Sequence, residues 1–312
     1  MNLQDELLVL AGIAAALVIA SVAAGILRLR AGQTGSPVLD NLNARIKAWW
    51  VMIVLLTGAF LAGRHAVTAL FGLVSFAALR EFITLTPTHK ADQVAIFMSF
   101  FIVLPMQYWL IWIGWYGFFT ILIPVYAFLV MPIAAVVFGD SQNFLARTAE
   151  TQWAVMVCIY CISYVPALLT LDVPGYTGRD PLLVIFLLVV VQSSDVLQYV
   201  WGKLLGRRKI APDLSPAKTV EGFVGGVVCA TLIGTALSRI TPFRPLQAAG
   251  MSLVITLMAF FGGLVMSAIK RDRGVKDWGH LIEGHGGMLD RLDSVAFSAP
   301  ILFHLTRYFF AT

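Results

Sequence analysis

Between residues 267 and 294 the chain runs Ser267-Ala-Ile-Lys270-Arg271-Asp272-Arg273-Gly-Val-Lys276-Asp277-Trp278-Gly279-His280-Leu-Ile-Glu283-Gly284-His285-Gly286-Gly287-Met-Leu-Asp290-Arg291-Leu-Asp293-Ser294, and ten of these 28 residues are Lys, Arg, Asp or Glu in a chain that averages 12% charged. Bases alone would suit a solvated loop that anchors an anionic membrane face. Five carboxylates, two histidines and several glycines among them weaken such an anchor and are the parts of a phosphate and metal site. Asp290 and Asp293 stand three apart, so on a helix they share one face. Two acids so placed can hold a hard cation such as Mg²⁺, which takes one or two carboxylates and completes its shell with substrate phosphates. The alternative is that both merely cap a helix start, where the helix dipole favours negative charge. Gly286 and Gly287 let the backbone come close to a ligand, and successive N–H groups can form an anion-binding nest; ordinary turns use the same pair. His285, just before them, could donate to a phosphate oxygen or be a plain exposed loop side chain.

A second charged stretch, 195–222, begins with Asp195 and Tyr199 and continues through Gly202, Lys203, Gly206, Arg207, Arg208, Lys209 and Asp213 to Ser215-Pro216-Ala-Lys218-Thr219-Val-Glu221-Gly222. Asp195 follows the apolar run 182–191 and sits near the end of a span. An ionisable group at the centre of a membrane helix costs about 2.5 to 3.5 kcal/mol, less near an end, and marks a functional position by default. Arg207 to Lys209 fit simple interfacial anchoring. Ser215 as N-cap with Pro216 at the first helical position predicts a helix start, which would carry Lys218 to headgroup depth.

The elements that must position these residues follow from composition. The chain has 312 residues, 59% hydrophobic and only 12% charged, with a mean hydropathy of +0.84. Soluble domains carry about 25% charged residues, so a soluble protein is excluded. A membrane helix needs about 20 apolar residues, and the chain offers ten candidates, near 7–27, 48–63, 66–82, 94–113, 117–138, 152–171, 181–200, 222–239, 247–269 and 295–311. The second and third are short and close together, so the expected fold is an all-α, polytopic integral membrane protein of about nine or ten transmembrane helices. It forms a single membrane domain over 1–312, with N-terminal helices in 1–171 and the chemistry in 172–312. Asp5 and Glu6 stand where a cleaved signal would carry bases, so 7–27 is expected to be a true span. Cys158, Cys161 and Cys229 lie in apolar runs and are expected to be buried helix residues, neither disulfide nor metal ligands.

Orientation follows from Lys and Arg asymmetry between alternate loops. With the N-terminus outside, seventeen of the 22 bases fall on the cytoplasmic side and five, Arg64, Arg179, Arg239, Arg244 and Arg307, on the other. Both charged segments then face the cytoplasm. Segments 195–221 and 267–293 hold ten of the 22 bases and eight of the 17 acids. They form a nearly balanced cluster rather than a basic patch, which gives no sign of nucleic-acid binding.

These residues resemble the phosphatidate cytidylyltransferases, also called CDP-diacylglycerol synthases. Their signature is Ser-x-apolar-Lys-Arg, four residues, Lys-Asp, then His-Gly-Gly-apolar-x-Asp-Arg-x-Asp. Ser267, Lys270, Arg271, Lys276, Asp277, His285, Gly286, Gly287, Asp290, Arg291 and Asp293 all fall in register, eleven matches over 27 residues. The earlier stretch is similar to the family's second block through Asp195, Tyr199, Gly202, Gly206 and Ser215-Pro-x-Lys218-Thr219-x-Glu221-Gly222. Upstream the likeness is mostly hydropathy, with Glu81 after an apolar span as a faint echo. Three departures mark a divergent branch, whose lipid acceptor could differ from phosphatidate. Val196, Leu197 and Gln198 replace small residues, Glu283 precedes Gly284 where Pro or Gly is usual, and Trp278 stands where a smaller residue is commoner.

The resemblance implies transfer of a cytidylyl group from CTP, or dCTP, to phosphatidate, giving CDP-diacylglycerol and pyrophosphate in phospholipid biosynthesis. An ether-lipid or polyprenyl phosphate is an alternative acceptor, and a lipid or phosphate transporter a more distant one. It implies Asp277, Asp290 and Asp293, with Asp195, as ligands of Mg²⁺ and of a second cation that need not be divalent. Lys218, Lys270, Arg271, Lys276 and Arg291 would bind phosphates, His285, Gly286 and Gly287 would cradle the triphosphate, and Ser215 and Thr219 would offer hydroxyls beside Tyr199 and Glu221. It further implies a homodimer in the bacterial inner membrane, with the site on the cytoplasmic side.

Overall fold

The computed structural model describes residues 37–138, 141–281 and 286–311, with Gly12, Val18, Ser21 and Val22 before them. Those four positions are helical; otherwise the expected first span, 7–27, lies outside the described residues, as does His285. The helices are α1 (Pro37–Ala62), α2 (Arg64–Thr84), α3 (Gln93–Trp112), α4 (Tyr116–Val137), α5 (Phe144–Thr170) and α6 (Pro181–Leu205). A short antiparallel hairpin follows, β1 (Lys209–Ala211) and β2 (Ser215–Thr219), then α7 (Val220–Ile240), α8 (Pro245–Asp272) and α9 (Leu289–Phe310).

The fold is an all-α polytopic membrane architecture. Among the described residues seven helices, α2 to α8, are long and apolar enough to cross a membrane. The expected spans at 48–63 and 295–311 are helical but differ in kind. The apolar part of α1 is Ile46–Ala62, and α9 opens on Asp290, Arg291 and Asp293. Proline shapes the ends and interiors: Pro181 and Pro245 start α6 and α8, where a missing N–H costs nothing. Within α4, Pro124 lies in a π-helical stretch, Leu122–Ala127, because its ring displaces the carbonyl that a normal turn would offer. Gly63, at φ 95°, makes the corner between α1 and α2 in a conformation that side chains avoid.

Leu182 to Leu187 of α6 are buried, as are Val157 to Ile159 and Ile162 to Val165 of α5, so these two helices carry the centre of the core. Leu61, Leu73, Phe97, Phe101, Ile133 and Leu232 are exposed on the outer surface, as helices facing lipid require. Cys158 is buried and all three cysteines are free thiols. Some polar side chains inside the bundle bond one another: Gln107 Nε2 donates to the Ser163 hydroxyl and the Phe119 carbonyl, both at 3.2 Å. The Tyr164 hydroxyl meets Tyr160 at 2.7 Å and His304 at 2.9 Å.

Alternation of helix direction brings loop ends together in two sets. At one end Arg147 pairs with Asp92 at 3.1 Å and Arg273 with Glu150 at 2.6 Å, and Glu81 of α2 meets the start of α9. At the other, Tyr176 bonds the Ile240 carbonyl and the Arg307 guanidinium lies 3.7 Å from the Tyr116 ring centre. The first end carries both charged segments.

Candidate active site

At that end a polar cavity of about 320 Å³ opens between the last turns of α6, the hairpin, α7, the end of α8 and the start of α9. Asp195, Tyr199, Ser215, Lys218, Thr219, Asp290, Arg291 and Asp293 all line it. The two segments singled out by charge, about 70 residues apart in sequence, therefore meet at one pocket.

The segment 215–219 corrects the sequence expectation. It is strand β2, paired with β1 in the register Lys209 with Thr219 and Ala211 with Ser215; the helix starts at Val220. Thr219, not Ser215, is the N-cap, and its hydroxyl accepts the Gly222 N–H at 3.1 Å. That is the ordinary geometry by which a threonine satisfies a first-turn donor. Within β2 Lys218 is half-buried and lines the cavity, while Pro216 and Ala217 are exposed. The Lys218 ammonium lies 4.7 Å from the Phe260 ring centre, over its face. It fits because Gly263 has no Cβ: one built there would stand 3.1 Å from Nζ. Burial pulls the Lys218 pKa below the usual lysine range, and the nearby carboxylates of Asp195 and Asp293 oppose that pull.

The hairpin rests on tight packing between α6 and α7. A Cβ at Gly222 would strike the Gln198 carbonyl oxygen, and one at Gly226 the Gln198 backbone. Gly222-x-x-x-Gly226 thus lets two helix backbones approach as small residues do between membrane helices. Gln198, one of the three departures from the family pattern, lines the cavity and donates to the Ser194 hydroxyl at 2.7 Å.

On α9, Asp290 and Asp293 share a face as their spacing required, but their surroundings differ. Asp290 Oδ1 pairs with Lys270 Nζ at 2.7 Å. Its Oδ2 accepts the N–H groups of Trp278 at 2.8 Å and Gly287 at 2.9 Å. Asp290 thus ties Trp278 and Gly287 to α9 and, through Lys270, to α8. Asp293 accepts only from Ser294 among the described hydrogen bonds, through the backbone N–H at 2.7 Å and more weakly through the hydroxyl at 3.4 Å. Asp195, Lys218 and Lys270 are among the charges facing it.

Gly286 and Gly287 pack closely against two carboxylates. The Gly287 N–H is already given to Asp290. Gly286 has φ 82°, and a Cβ there would stand 2.8 Å from Asp290 Oδ2; a Cβ at Gly287 would strike the Glu81 carboxylate. Trp278, another departure, is 2% exposed and stacks on Phe82 with ring centres 5.0 Å apart. It anchors the loop on α2 and accounts for the bulky residue there.

Other expected site residues take different places. Glu221 accepts the Arg207 N–H at 3.0 Å and the Arg208 N–H at 3.2 Å, so it holds the turn after α6 and does not line the cavity. Arg271 donates to the carbonyls of Leu214 at 3.3 Å and Val275 at 2.9 Å, joining the hairpin tip to the end of α8. Lys276 and Asp277 are exposed and outside the cavity lining. Among the described residues no three His, Cys, Asp or Glu side chains gather as a metal cage; of the three carboxylates lining the cavity, Asp290 is tied by three bonds, while Asp195 and Asp293 each meet Ser294. Glu81 is the residue that sequence reasoning left aside. It accepts the first-turn N–H groups of α9, Met288 at 2.8 Å and Leu289 at 2.9 Å. Its signal in the sequence was a carboxylate ending an apolar span.

Comparison with known proteins places the chain among its relatives. A model of the cytidylyltransferase family matches residues 43–309. An uncharacterized protein of Escherichia coli (strain K12), YnbB, is 37% identical over 269 residues, covering 86% of this chain and 88% of that protein. A phosphatidate cytidylyltransferase of Bacillus subtilis (strain 168) is 37% identical over 165 residues, 51% of this chain and 60% of that protein. One from Staphylococcus saprophyticus is 42% identical over 123 residues, 38% of this chain and 46% of that protein. The charged cavity, its motif spacing and a family match spanning α1 to α9 lead to one conclusion: the chain belongs to the cytidylyltransferase family, whose members are nucleotidyl-transferring enzymes.

Proposed function

We propose that the protein transfers a cytidylyl group from CTP to phosphatidate or a closely related lipid phosphate, forming a CDP-lipid and pyrophosphate at the cytoplasmic face of a bacterial membrane. The observation that carries this reading is the polar cavity where Lys218 and Arg291 face Asp195 and Asp293 at the membrane-proximal ends of α6 and α9. In the reaction a phosphate oxygen of the lipid attacks the α-phosphorus of CTP, a new P–O bond forms, and the bond to the β-phosphate breaks with its electrons leaving on pyrophosphate. A phosphate monoester, with a second pKa near 6, is already mostly dianionic at neutral pH, so no general base is required. The obstacle is repulsion between two polyanions. Lys218 and Arg291 relieve it by binding phosphate oxygens where charge develops, and Ser215 contributes a hydroxyl at the rim.

The donor set fits a hard divalent cation. Asp195 and Asp293 supply two carboxylates from two helices, and Mg²⁺ completes its shell with substrate phosphates; when bound it neutralises charge on the transferring group. Asp290 is committed to Lys270 and two backbone N–H groups, so in this proposal it holds the site together. Seventeen of the 22 bases fall on the side that alternation assigns to the cavity, which supports the cytoplasmic placement.

Purified protein in vesicles, given radiolabelled CTP and Mg²⁺ with phosphatidate, an ether analogue or a polyprenyl phosphate, should label a lipid that carries cytidine, and chelation should stop it. Label on the polyprenyl acceptor alone would move the activity to the alternative substrate. No label on any lipid would reject the reaction.

A further inference from the structure

Arg291 also borders a second cavity. It measures about 190 Å³ and lies between α1, α2, α6 and α9. Its wall is apolar, with Leu56 from α1, Val74 from α2, Leu188 from α6 and Val295 from α9; Gln192 and Arg291 are its polar members. Helical geometry explains the division. At 3.6 residues per turn, Asp290, Asp293 and Ser294 form one stripe of α9, turned to the polar cavity, while Met288, Leu292 and Val295 form another, turned to the apolar one. Arg291 falls at the boundary and lines both. On α6 the two cavities follow one another along the axis: Leu188 and Gln192 line the apolar groove, and Asp195, one turn on, the polar cavity.

Resting on the proposed lipid acceptor, we propose that this groove holds one hydrocarbon chain of the lipid phosphate, with its headgroup in the polar cavity and Arg291 at the junction. Water is a poor occupant, since an ordered water needs two to four polar partners and this wall offers two polar residues at one end. A chain attached to a phosphate satisfies both halves at once, because the two cavities share Arg291, whose side chain would contact the phosphate. The chain arrives from lipid, which is as apolar as the groove, so little binding energy comes from burial. The groove's work is to fix where the phosphate sits, and its width selects chain shape. Leu56, Val74 and Leu188 are the residues that set that width.

The test uses the full-length protein in vesicles with a phosphatidate probe that carries a photoactivatable diazirine on one acyl chain, which reports contact without turnover. The expected adducts fall on Met52, Ile53, Leu56, Leu188, Leu292 and Val295, and excess unlabelled phosphatidate removes them. Adducts spread over lipid-facing positions such as Val54, Leu61 and Leu73, which are 62%, 67% and 71% exposed, with none in the groove, would overturn the inference. In a second arm, Val74→Phe and Leu188→Phe should lower groove labelling and reduce kcat/KM for a two-chain acceptor at least tenfold, leaving the KM for CTP unchanged. The outward control Val54→Phe should behave as wild type. An equal fall for Val54→Phe would speak against the groove. Groove adducts in a protein that transfers no cytidylyl group would reject the proposed reaction and keep the groove; transfer without groove adducts would do the reverse.

Discussion

Glu81 and Leu289 are 208 residues apart in the chain, and the Glu81 carboxylate accepts the Leu289 N–H at 2.9 Å through Oε2 while Oε1 accepts the Met288 N–H at 2.8 Å. One side chain of α2 thereby satisfies first-turn donors of α9 and sets the axial position of Asp290 and Asp293. Glu81→Ala would leave those donors without acceptors near the helix start. Hydrogen bonds to charged groups contribute about 1.5 to 3 kcal/mol, so a clear drop in the thermal midpoint of the detergent-purified protein is expected, with activity falling alongside it. Glu81→Gln keeps one acceptor and should recover part of both. An alanine variant that melts with wild type would show that Glu81 does not support α9.

Asp290 and Asp293 should respond differently to the same substitution. Asp290→Asn removes the charge beside Lys270, whose side chain is 12% exposed against 4% for Asp290. Breaking a buried pair by removing one partner costs about 3 kcal/mol or more, so this variant should lose stability as well as activity. Asp293→Asn removes one of two carboxylates that repel each other across the cavity; its thermal midpoint should stay level or rise while CTP-dependent product falls by orders of magnitude. Parallel melting and label-transfer assays separate the two. Near-normal turnover in Asp293→Asn would remove it from the proposed metal pair.

Much of this site was legible because helical spacing is local information. The interval from Asp290 to Asp293 required a shared face, and apolar run lengths placed α2 to α8 within a few residues, except that α5 begins at Phe144, well before the expected 152. What escaped were decisions made by distant partners. Ser215-Pro216 has the local signature of a helix start, yet pairing with Lys209–Ala211 makes it a strand, and Thr219 caps the helix instead. Gly286-Gly287 suits an anion nest or a close-packed turn equally well from sequence. Their packing comes from Asp290 and Glu81, which crowd both glycines. Glu81 itself was faint because its partners lie more than 200 residues on.

Topology gives a test independent of catalysis. In a background where Cys158, Cys161 and Cys229 are replaced, Asp213→Cys and Lys276→Cys stand at exposed positions flanking the cavity, and Thr177→Cys is exposed in the loop between α5 and α6 at the opposite end. A membrane-impermeant maleimide added to intact cells should label Thr177→Cys alone, and added to inverted vesicles should label the other two. Labelling of Asp213→Cys and Lys276→Cys from opposite faces would dismantle the single pocket.

Gly263 offers a finer probe of the phosphate-binding role proposed for Lys218. A Cβ at this position would stand 3.1 Å from Lys218 Nζ and 3.6 Å from the Ser294 hydroxyl, so Gly263→Ala presses on the free end of a flexible side chain rather than on backbone. The chain can yield by a few tenths of an ångström, and alanine is also the better helix former by up to about 1 kcal/mol. Folding should therefore be unharmed or slightly improved. The ammonium, however, must leave its place over Phe260 and move relative to Asp195 and Asp293, and misplacing a charged binding group weakens binding of the phosphate it serves. Gly263→Ala should raise the KM for CTP several-fold with an unchanged thermal midpoint. Gly263→Val, with two further methyl groups in the same space, should deepen the defect and begin to lower stability. If Gly263→Ala leaves the KM unchanged while Lys218→Ala abolishes turnover, the lysine is essential but its resting position over Phe260 is not the one it uses with nucleotide bound.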